Sequence, residues 1–439
     1  MRQPKPHFYR FPTAGLFADY RNLPATELNV FRAARAYLAF ADMGVMRLGG
    51  LLGAWPMLPV NLVLEVLPAW NRHSRIAADT FGTSARDQLR QCVRLALNDG
   101  PSPMAYYLAG IASHEDEAEL ATYIHDQFHE TLIEFCRFAV ERLHGVQQDL
   151  NDKLSFEENC RKFDLPCIET FLKIAADGNV AQVSADAMEC AKLASSLFVK
   201  PVLASQGRGT ERWDKRDAGY VEANGASVPD FAALLRHLKS RAMAQSDGLL
   251  VQEAAVNAPE IETLGGRALS TVRLVTLRTP DGAVRPIQVG MRVAGRAAAV
   301  ADNYHAGGAY FFVDHLTGEI GRGISLDFPE HSQYLTGAPG SDHRLTGNTV
   351  EGWEQLKDLA LRLHEKLTIH AIGGWDVALT DRGPVAVECN SVPGLPAAWQ
   401  RLASGFLGTE YSKMLCSEIL TYLHQLAPAG SRFRFGGRA

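Results

Sequence analysis

The chain of 439 residues is long enough for two or three domains, and its composition, 46% hydrophobic and 21% charged, is typical of a globular protein. Its formal net charge of -5 provides no basic field for tracking a nucleic acid, so no nucleic-acid partner is expected. Seven dispersed cysteines without a CxxC pair argue against a disulfide framework, and the N-terminus lacks the apolar core of a signal peptide. We therefore expect a cytoplasmic location.

Residues 1–145 are predicted to form a helical N-terminal region. Apolar residues recur at helical spacing in segments 27–40, 84–98 and 115–143, and Ser113 is predicted to cap the third. The stretch from Leu48 to Leu64 has no charge, but prolines interrupt it and it is too short to cross a bilayer comfortably. It predicts a buried or irregular hairpin, with peripheral contact to a membrane surface as the alternative.

Residues 146–255 are predicted to form the first part of a mixed α and β region. Ser155 and Glu158 have the spacing of a capping box at the start of a short helix. The elements expected after it are a helix at 184–195, a strand at 197–201, a glycine- and serine-containing loop, a helix from Asp230 and a strand at 249–251.

Residues 256–425 are predicted to consist mainly of hairpins. The expected strand pairs are 270–279 with 285–293, 310–314 with 319–323, and 374–379 with 384–389. Helices are expected at 350–367 and 410–425, and residues 426–439 are expected to be a flexible tail. A helical front followed by mixed strands and helices gives an α+β fold class.

Asp376, Glu388 and Asn390 are the most informative polar residues. If the last hairpin forms, Asp376 and Glu388 lie on adjacent antiparallel strands, and Asn390 points to the same face as Glu388. Three oxygen-bearing side chains suit a hard cation, and Mg²⁺ prefers a few carboxylate oxygens together with substrate phosphates. The alternative is that the two acids are solvated strand residues and Asn390 belongs to a turn.

Lys200 and the loop after it are candidates for binding phosphate. The lysine follows an apolar strand and precedes the loop 204–210, whose glycines would let backbone N–H groups approach a phosphate. The loop is not a Walker A motif. Lys153 is a second, weaker candidate, and the strand ending at Glu253 could carry an adenine on its backbone edge.

Taken in chain order, these segments resemble the ATP-grasp superfamily, and most closely its sugar-transfer-associated family. The matching segments are 152–154, 199–201 with the following loop, 251–253, 270–273, 301–303 leading to Gly307 and Gly308, 374–376 and 388–390. Two departures are Ala204 and Ser205 in place of glycines, and Cys389 in place of the glycine expected between the metal ligands. The resemblance covers roughly residues 145–400 and implies two α+β subdomains that grip ATP.

The resemblance also implies a role for each matching residue. Lys153 and Lys200 would hold the ATP phosphates, and a loop containing Ser205, Gly207 and Gly209 would close over them. Gln252, Glu253 and Ala254 would line the adenine and ribose pocket. Asp376, Glu388 and Asn390 would bind two Mg²⁺ ions, with Mn²⁺ as an alternative. Arg273 would support the transferred phosphoryl group, with Lys200 as its catalytic partner. The acceptor side would contain Arg292, Asp302, Asn303, His305, Gly307 and Gly308.

The function implied is that of an Mg-ATP-dependent ligase. Its substrates would be a small carboxylic acid, activated as an acylphosphate, and an amine or other nucleophile, in chemistry linked to sugars or polysaccharides. A kinase that phosphorylates a hydroxyl group and a nucleotide-binding module without turnover are the alternatives. Identifying the product would separate them, because a ligase releases ADP and free phosphate whereas a kinase leaves phosphate on the acceptor.

Overall fold

The structure is a computed structural model. The residues that it describes are 16–42, 58–113, 117–146, 148, 150–202, 209–244, 248–261, 268–279, 281–294, 308–325, 334–339 and 343–435. Over these residues the chain has a helical front, a first sheet with helices and a second sheet with helices. The α+β fold class is confirmed.

Six α-helices form the front among the described residues. They are Glu27–Asp42 (α1), Leu58–Phe81 (α2), Ala85–Leu97 (α3), Pro103–Leu108 (α4), Glu117–Leu120 (α5) and Asp126–His144 (α6). The predicted hairpin at 48–64 is wrong from Leu58 onward, since α2 begins there, and 48–57 lie outside the described residues. Pro59 is tolerated because a proline in the first turn removes no helical hydrogen bond.

The last helix of the front begins later than predicted. His125, not Ser113, caps α6, because the Nδ1 atom of His125 accepts a hydrogen bond from the backbone N–H of Gln127 at 3.0 Å. One turn further on, His129 is buried and its Nε2 atom lies 2.6 Å from the hydroxyl of Tyr411. These histidines therefore have structural partners.

The first sheet follows a helix that starts at Lys153. Asp152, rather than Ser155 with Glu158, caps this helix, Lys153–Lys162 (α7), by accepting a hydrogen bond from the backbone N–H of Ser155 at 2.8 Å. The strands are Thr170–Ile174 (β1), Val180–Gln182 (β2), Ser196–Pro201 (β3), Glu211–Arg216 (β4), Gly219–Glu222 (β5), Ser227–Val228 (β6) and Leu249–Glu253 (β7). Their order is β2-β1-β7-β3-β4-β5-β6, and Ala187–Leu193 (α8) and Phe231–Met243 (α9) contribute apolar side chains to the sheet's core.

The second sheet is antiparallel throughout. Its strands are Thr271–Arg278 (β8), Val284–Val293 (β9), Ala309–Val313 (β10), Ile320–Ser325 (β11), Ile372–Thr380 (β12) and Gly383–Asn390 (β13), in the order β11-β10-β9-β8-β12-β13. The remaining helices are Trp353–Leu367 (α10), Ala397–Leu402 (α11) and Glu410–Leu426 (α12). The registers confirm all three predicted hairpins.

The two sheets are joined beside the last hairpin. Before β1, the backbone N–H of Ile168 donates to the carbonyl of Ala386 on β13 at 3.0 Å. After β7, Asn257 forms a bridge with Thr380 at the end of β12. The ends of β1 and β7 are therefore fixed next to β12 and β13, which brings the first sheet up to the predicted metal ligands.

The C-terminal helix α12 completes the core of the helical front. Its apolar face packs against α1 and α6, and the same core includes Val275 and Leu277 of the second sheet. The predicted flexible tail is wrong for residues 427–435, because Phe433 and Phe435 are buried in this core. Within the described part of the chain, we find no helix with both the length and the apolar character needed to span a bilayer.

Candidate active site

The centre of the candidate site is a row of charged residues across three strands. Asp376 of β12 lies opposite Glu388 of β13 on one side and Arg273 of β8 on the other. Asn390 lies two residues beyond Glu388, opposite Gly374. The structure thus places Asp376 and Glu388 on adjacent antiparallel strands, as the sequence predicts.

Two arginines hold Asp376. Its carboxylate is 3% exposed and accepts hydrogen bonds from Nε and Nη2 of Arg273, the latter at 2.6 Å, and it forms an ion pair with Nη2 of Arg292. Burial alone would raise the pKa of Asp376, but the two guanidinium groups hold it well below its ordinary value. Asp376 is therefore an ionised carboxylate that orients both arginines.

The next residue of the candidate site is Lys200, on β3 of the first sheet. It interacts electrostatically with Glu388 and with Lys153, so all three belong to one charged cluster. Burial lowers the pKa of Lys200 to about 8; attraction to Glu388 works against this shift and repulsion from Lys153 adds to it. The Nζ atom of Lys153 donates a hydrogen bond to the carbonyl of Val202 at 2.9 Å. Lysines from two segments thus belong to the same charged cluster as Glu388.

Glu388 is the more accessible of the two acids. Its side chain is 36% exposed, and its Oε1 atom lies 3.9 Å from Nη2 of Arg273. Burial, followed by repulsion from Asp376, raises the pKa of Glu388 above its ordinary value, while Arg273 and Lys200 oppose the rise. A further cation beside Glu388 would favour its charged form.

The residues present fit a magnesium ion that is shared with phosphate oxygens. Among the described residues, no group of three or more His, Cys, Asp or Glu side chains could hold a metal ion without such help. Within the same residues, nothing accepts a hydrogen bond from the buried Nδ2 atom of Asn390. If the side-chain amide of Asn390 is turned by half a rotation, its oxygen occupies this position instead. Glu388 and Asn390 would then supply ligands, with Asp376 adding an oxygen that is already bonded to arginine.

The residues predicted to bind adenine and ribose lie where the sheets join. Gln252 is buried, and its Nε2 atom donates to the hydroxyl of Thr170 at 2.8 Å, so this side chain is engaged within the first sheet. Glu253 forms an ion pair of 2.6 Å with Arg382, in the turn between β12 and β13. Ala254 is buried. The sequence analysis did not select Arg382, which lies in the turn of the hairpin predicted from 374–379 and 384–389.

Several predicted site residues lie outside the described part of the chain. They are Ser205, Gly207, Asp302, Asn303, His305 and Gly307. At the edges of these segments, Gly209 has a φ of +68°, in the left-handed region that favours glycine, and Gly308 is buried just before β10. Arg292, predicted on the acceptor side, forms an ion pair with Asp376.

A glutamate of the helical front lies near the loop that follows β13. The Oε1 atom of Glu130 on α6 lies 3.9 Å from the position that a Cβ atom would take at Gly394, four residues after Asn390. Burial, followed by repulsion from Asp126 and Glu134, raises the pKa of Glu130 to about 7. The sequence analysis did not select Glu130, because helical periodicity does not show which distant loop a helix face will contact.

Lysines of a first α+β unit and a carboxylate–arginine cluster of a second sheet thus belong to one charged site. The model of the family described as sugar-transfer associated ATP-grasp matches residues 144–401, more than half of the chain. The chain therefore belongs to the sugar-transfer-associated ATP-grasp family. No curated protein matches the sequence significantly.

The matches among solved structures have low sequence identity and low TM-scores. D-alanyl-alanine synthetase A from Vibrio cholerae has 12% sequence identity and a TM-score of 0.34, with 62% of this chain and 65% of that chain covered. A RimK domain protein ATP-grasp from Sphaerobacter thermophilus has 15% identity and a TM-score of 0.31, with 68% of this chain and 72% of that chain covered. This chain thus spans slightly less than two thirds of the length of the Vibrio enzyme.

Proposed function

We propose that the protein is an Mg-ATP-dependent ligase that activates a carboxylic acid as an acylphosphate for attack by an amine or another nucleophile. The observation that supports this most strongly is that cations from both sheets interact with the acids Asp376 and Glu388. Lys153 and Lys200 come from the first α+β unit, and Arg273 and Arg292 from the second sheet. Two anionic groups, a triphosphate and a substrate carboxylate, can therefore be held side by side.

The chain's own residues would act mainly by positioning and by electrostatic stabilisation. The lysines would hold phosphate oxygens, and Asp376 would keep Arg273 and Arg292 directed at the transferring phosphoryl group and the acid. Bound Mg-ATP would supply the phosphoryl group and offset its charge. Because these charged groups are already fixed before the reaction, little reorganisation is needed when charge develops in the transition state.

The test is ADP and phosphate release with mixed pools of carboxylic acids and amines, including amino sugars, followed by mass analysis of the product. A ligase gives ADP, free phosphate and a condensed product. Phosphate retained on an acceptor would replace the proposal with a kinase, and Mg-ATP binding without ADP release in any pool would favour a nucleotide-binding module. Both outcomes would contradict the ligase reaction.

Two variants and one control connect the activity to the proposed site. Lys200→Met should lower the rate by a factor on the order of 10²–10³, as for loss of a preorganised donor. Lys366→Met changes an exposed lysine of α10, which packs on the Trp375 face of the second sheet, and should leave the rate unchanged. Glu388→Gln should weaken Mg-dependent nucleotide binding. If Glu388→Gln and Asp376→Asn both bind as the unaltered protein does, the metal assignment is wrong.

A further inference from the structure

An apolar stripe lies exposed on the first half of α2. Val60, Val63, Leu64 and Leu67 are 44%, 51%, 64% and 43% exposed, respectively. Their spacing of three and four residues places them on one face of the helix. The opposite face is buried, for example at Val66, Ala69 and Ala77. Such a grouping of large apolar side chains on one exposed face differs from the single exposed residues found on ordinary surfaces.

Exposed arginines lie further along α2 and on the helix that packs beside it. Arg72 and Arg75 are exposed eight and eleven residues after Leu64, so Arg75 lies on the same face of α2. The neighbouring helix α3 exposes Arg86, Arg90 and Arg94, spaced four residues apart on one face. We call the exposed faces of α2 and α3, from Val60 to Arg94, the α2–α3 surface.

Hydrogen bonds fix α3 against the middle of α2. The indole Nε1 atom of Trp70 donates to the carbonyl of Ala85 at 2.7 Å, and the Nε2 atom of Gln88 donates to the carbonyl of Ser74 at 3.1 Å. These bonds place the first turns of α3 beside the part of α2 that carries Arg72 and Arg75. The arginines of the two helices therefore belong to one packed helix pair.

The charge of this surface differs in sign from that of the whole chain. Residues 58–97 contain five arginines and three acidic residues, whereas the chain carries a formal net charge of -5. Apolar side chains combined with arginines and few acids are the composition of helices that lie in the interface of an anionic bilayer.

We propose that the α2–α3 surface docks on the surface of an anionic phospholipid bilayer. The apolar side chains of α2 enter the boundary between headgroups and acyl chains, and the arginines contact the phosphates. A second copy of the chain fits less well, because a symmetric contact would bring the arginines of both copies together. The proposal concerns a surface, not a membrane-spanning segment, and it does not depend on the reaction proposed for the active site.

The test is co-sedimentation of the full chain with two kinds of vesicle, phosphatidylcholine alone and phosphatidylcholine mixed with phosphatidylglycerol. We expect binding to the mixed vesicles that weakens as salt is raised. Replacing Arg72 and Arg75 by Gln should weaken this binding by roughly fivefold per arginine. Val63→Gln with Leu64→Gln should weaken it by at least about tenfold, since burial of either side chain contributes over 1 kcal/mol.

The matched control is Leu193→Gln on α8, a single leucine that is 76% exposed and lies in the first α+β unit. It should bind vesicles as the unaltered protein does. All substituted side chains are exposed, so each variant should keep its melting temperature, which verifies the fold. Absence of binding to mixed vesicles at low salt would overturn the proposal, as would binding that the α2 variants leave unchanged. A dimer that Val63→Gln with Leu64→Gln dissociates, without vesicle binding, would assign the surface to a second copy.

Discussion

The pKa of Lys200 predicts how nucleotide affinity depends on pH. In the unligated protein burial lowers this pKa to about 8 from an ordinary value of 10.5. A bound phosphate would stabilise the charged amine and raise the pKa again. Above pH 8, binding must then take up a proton, so affinity should fall by up to about tenfold per pH unit, whereas below pH 8 this group should add no pH dependence.

The assay is nucleotide titration at constant Mg²⁺ from about pH 7 to pH 9.5, where a tenfold affinity change corresponds to about 1.4 kcal/mol. In the unaltered protein the dissociation constant should rise above pH 8. Lys200→Met should bind more weakly at pH 7 and lose most of this rise, while Lys366→Met should keep it. Equal pH profiles for the unaltered protein and Lys200→Met would refute the reasoning.

The same pKa has an opposite consequence for the stability of the unligated protein. Because the pKa of Lys200 is lower in the folded chain than in the unfolded chain, the unfolded state binds more protons between about pH 8 and 10.5. Below pH 8, the buried charged amine of Lys200 should therefore lower the free energy of unfolding by its full amount. As pH rises from about 8 to about 10.5, this destabilisation should disappear. Nucleotide should remove the effect by binding the charged amine.

Two further predictions concern ion pairs that differ in burial. Asp376→Asn leaves Arg273 and Arg292 without their carboxylate, so the free energy of unfolding, measured in denaturant, should fall by about 3 kcal/mol. An unchanged value would mean that the arginines find other partners. Arg382→Ala removes the ion pair with Glu253. Because Arg382 is 57% exposed, the free energy of unfolding should change by less than about 1 kcal/mol. A larger loss would show that the turn holds the two sheets together.

Local patterns predicted most of the second sheet. Alternating apolar residues and turn residues such as Asp381 and Gly383 determine a hairpin and its register without distant information. The placement of Asp376 beside Glu388 follows from that one hairpin. This is why the acidic part of the candidate site could be predicted from sequence.

The arginine partners of Asp376 could not be obtained in the same way. The hairpin pattern does place β9 next to β8, but the contact with Asp376 also requires β8 to pair with β12 across about a hundred residues, and no local pattern sets that pairing. The helix α2 was missed for another reason. Pro59 indicated an interruption, but it lies in the first turn, where helices accept proline.

The position of α12 has a consequence for how the chain is made. The helices of the front are synthesised before both sheets, but α1 and α6 bury their apolar faces against a helix that is synthesised after both sheets. The nascent front must therefore remain incompletely packed, with an apolar groove open to solvent, until α12 has been synthesised. A chain truncated before Glu410 would keep that groove, and we expect it to bind chaperones or to aggregate.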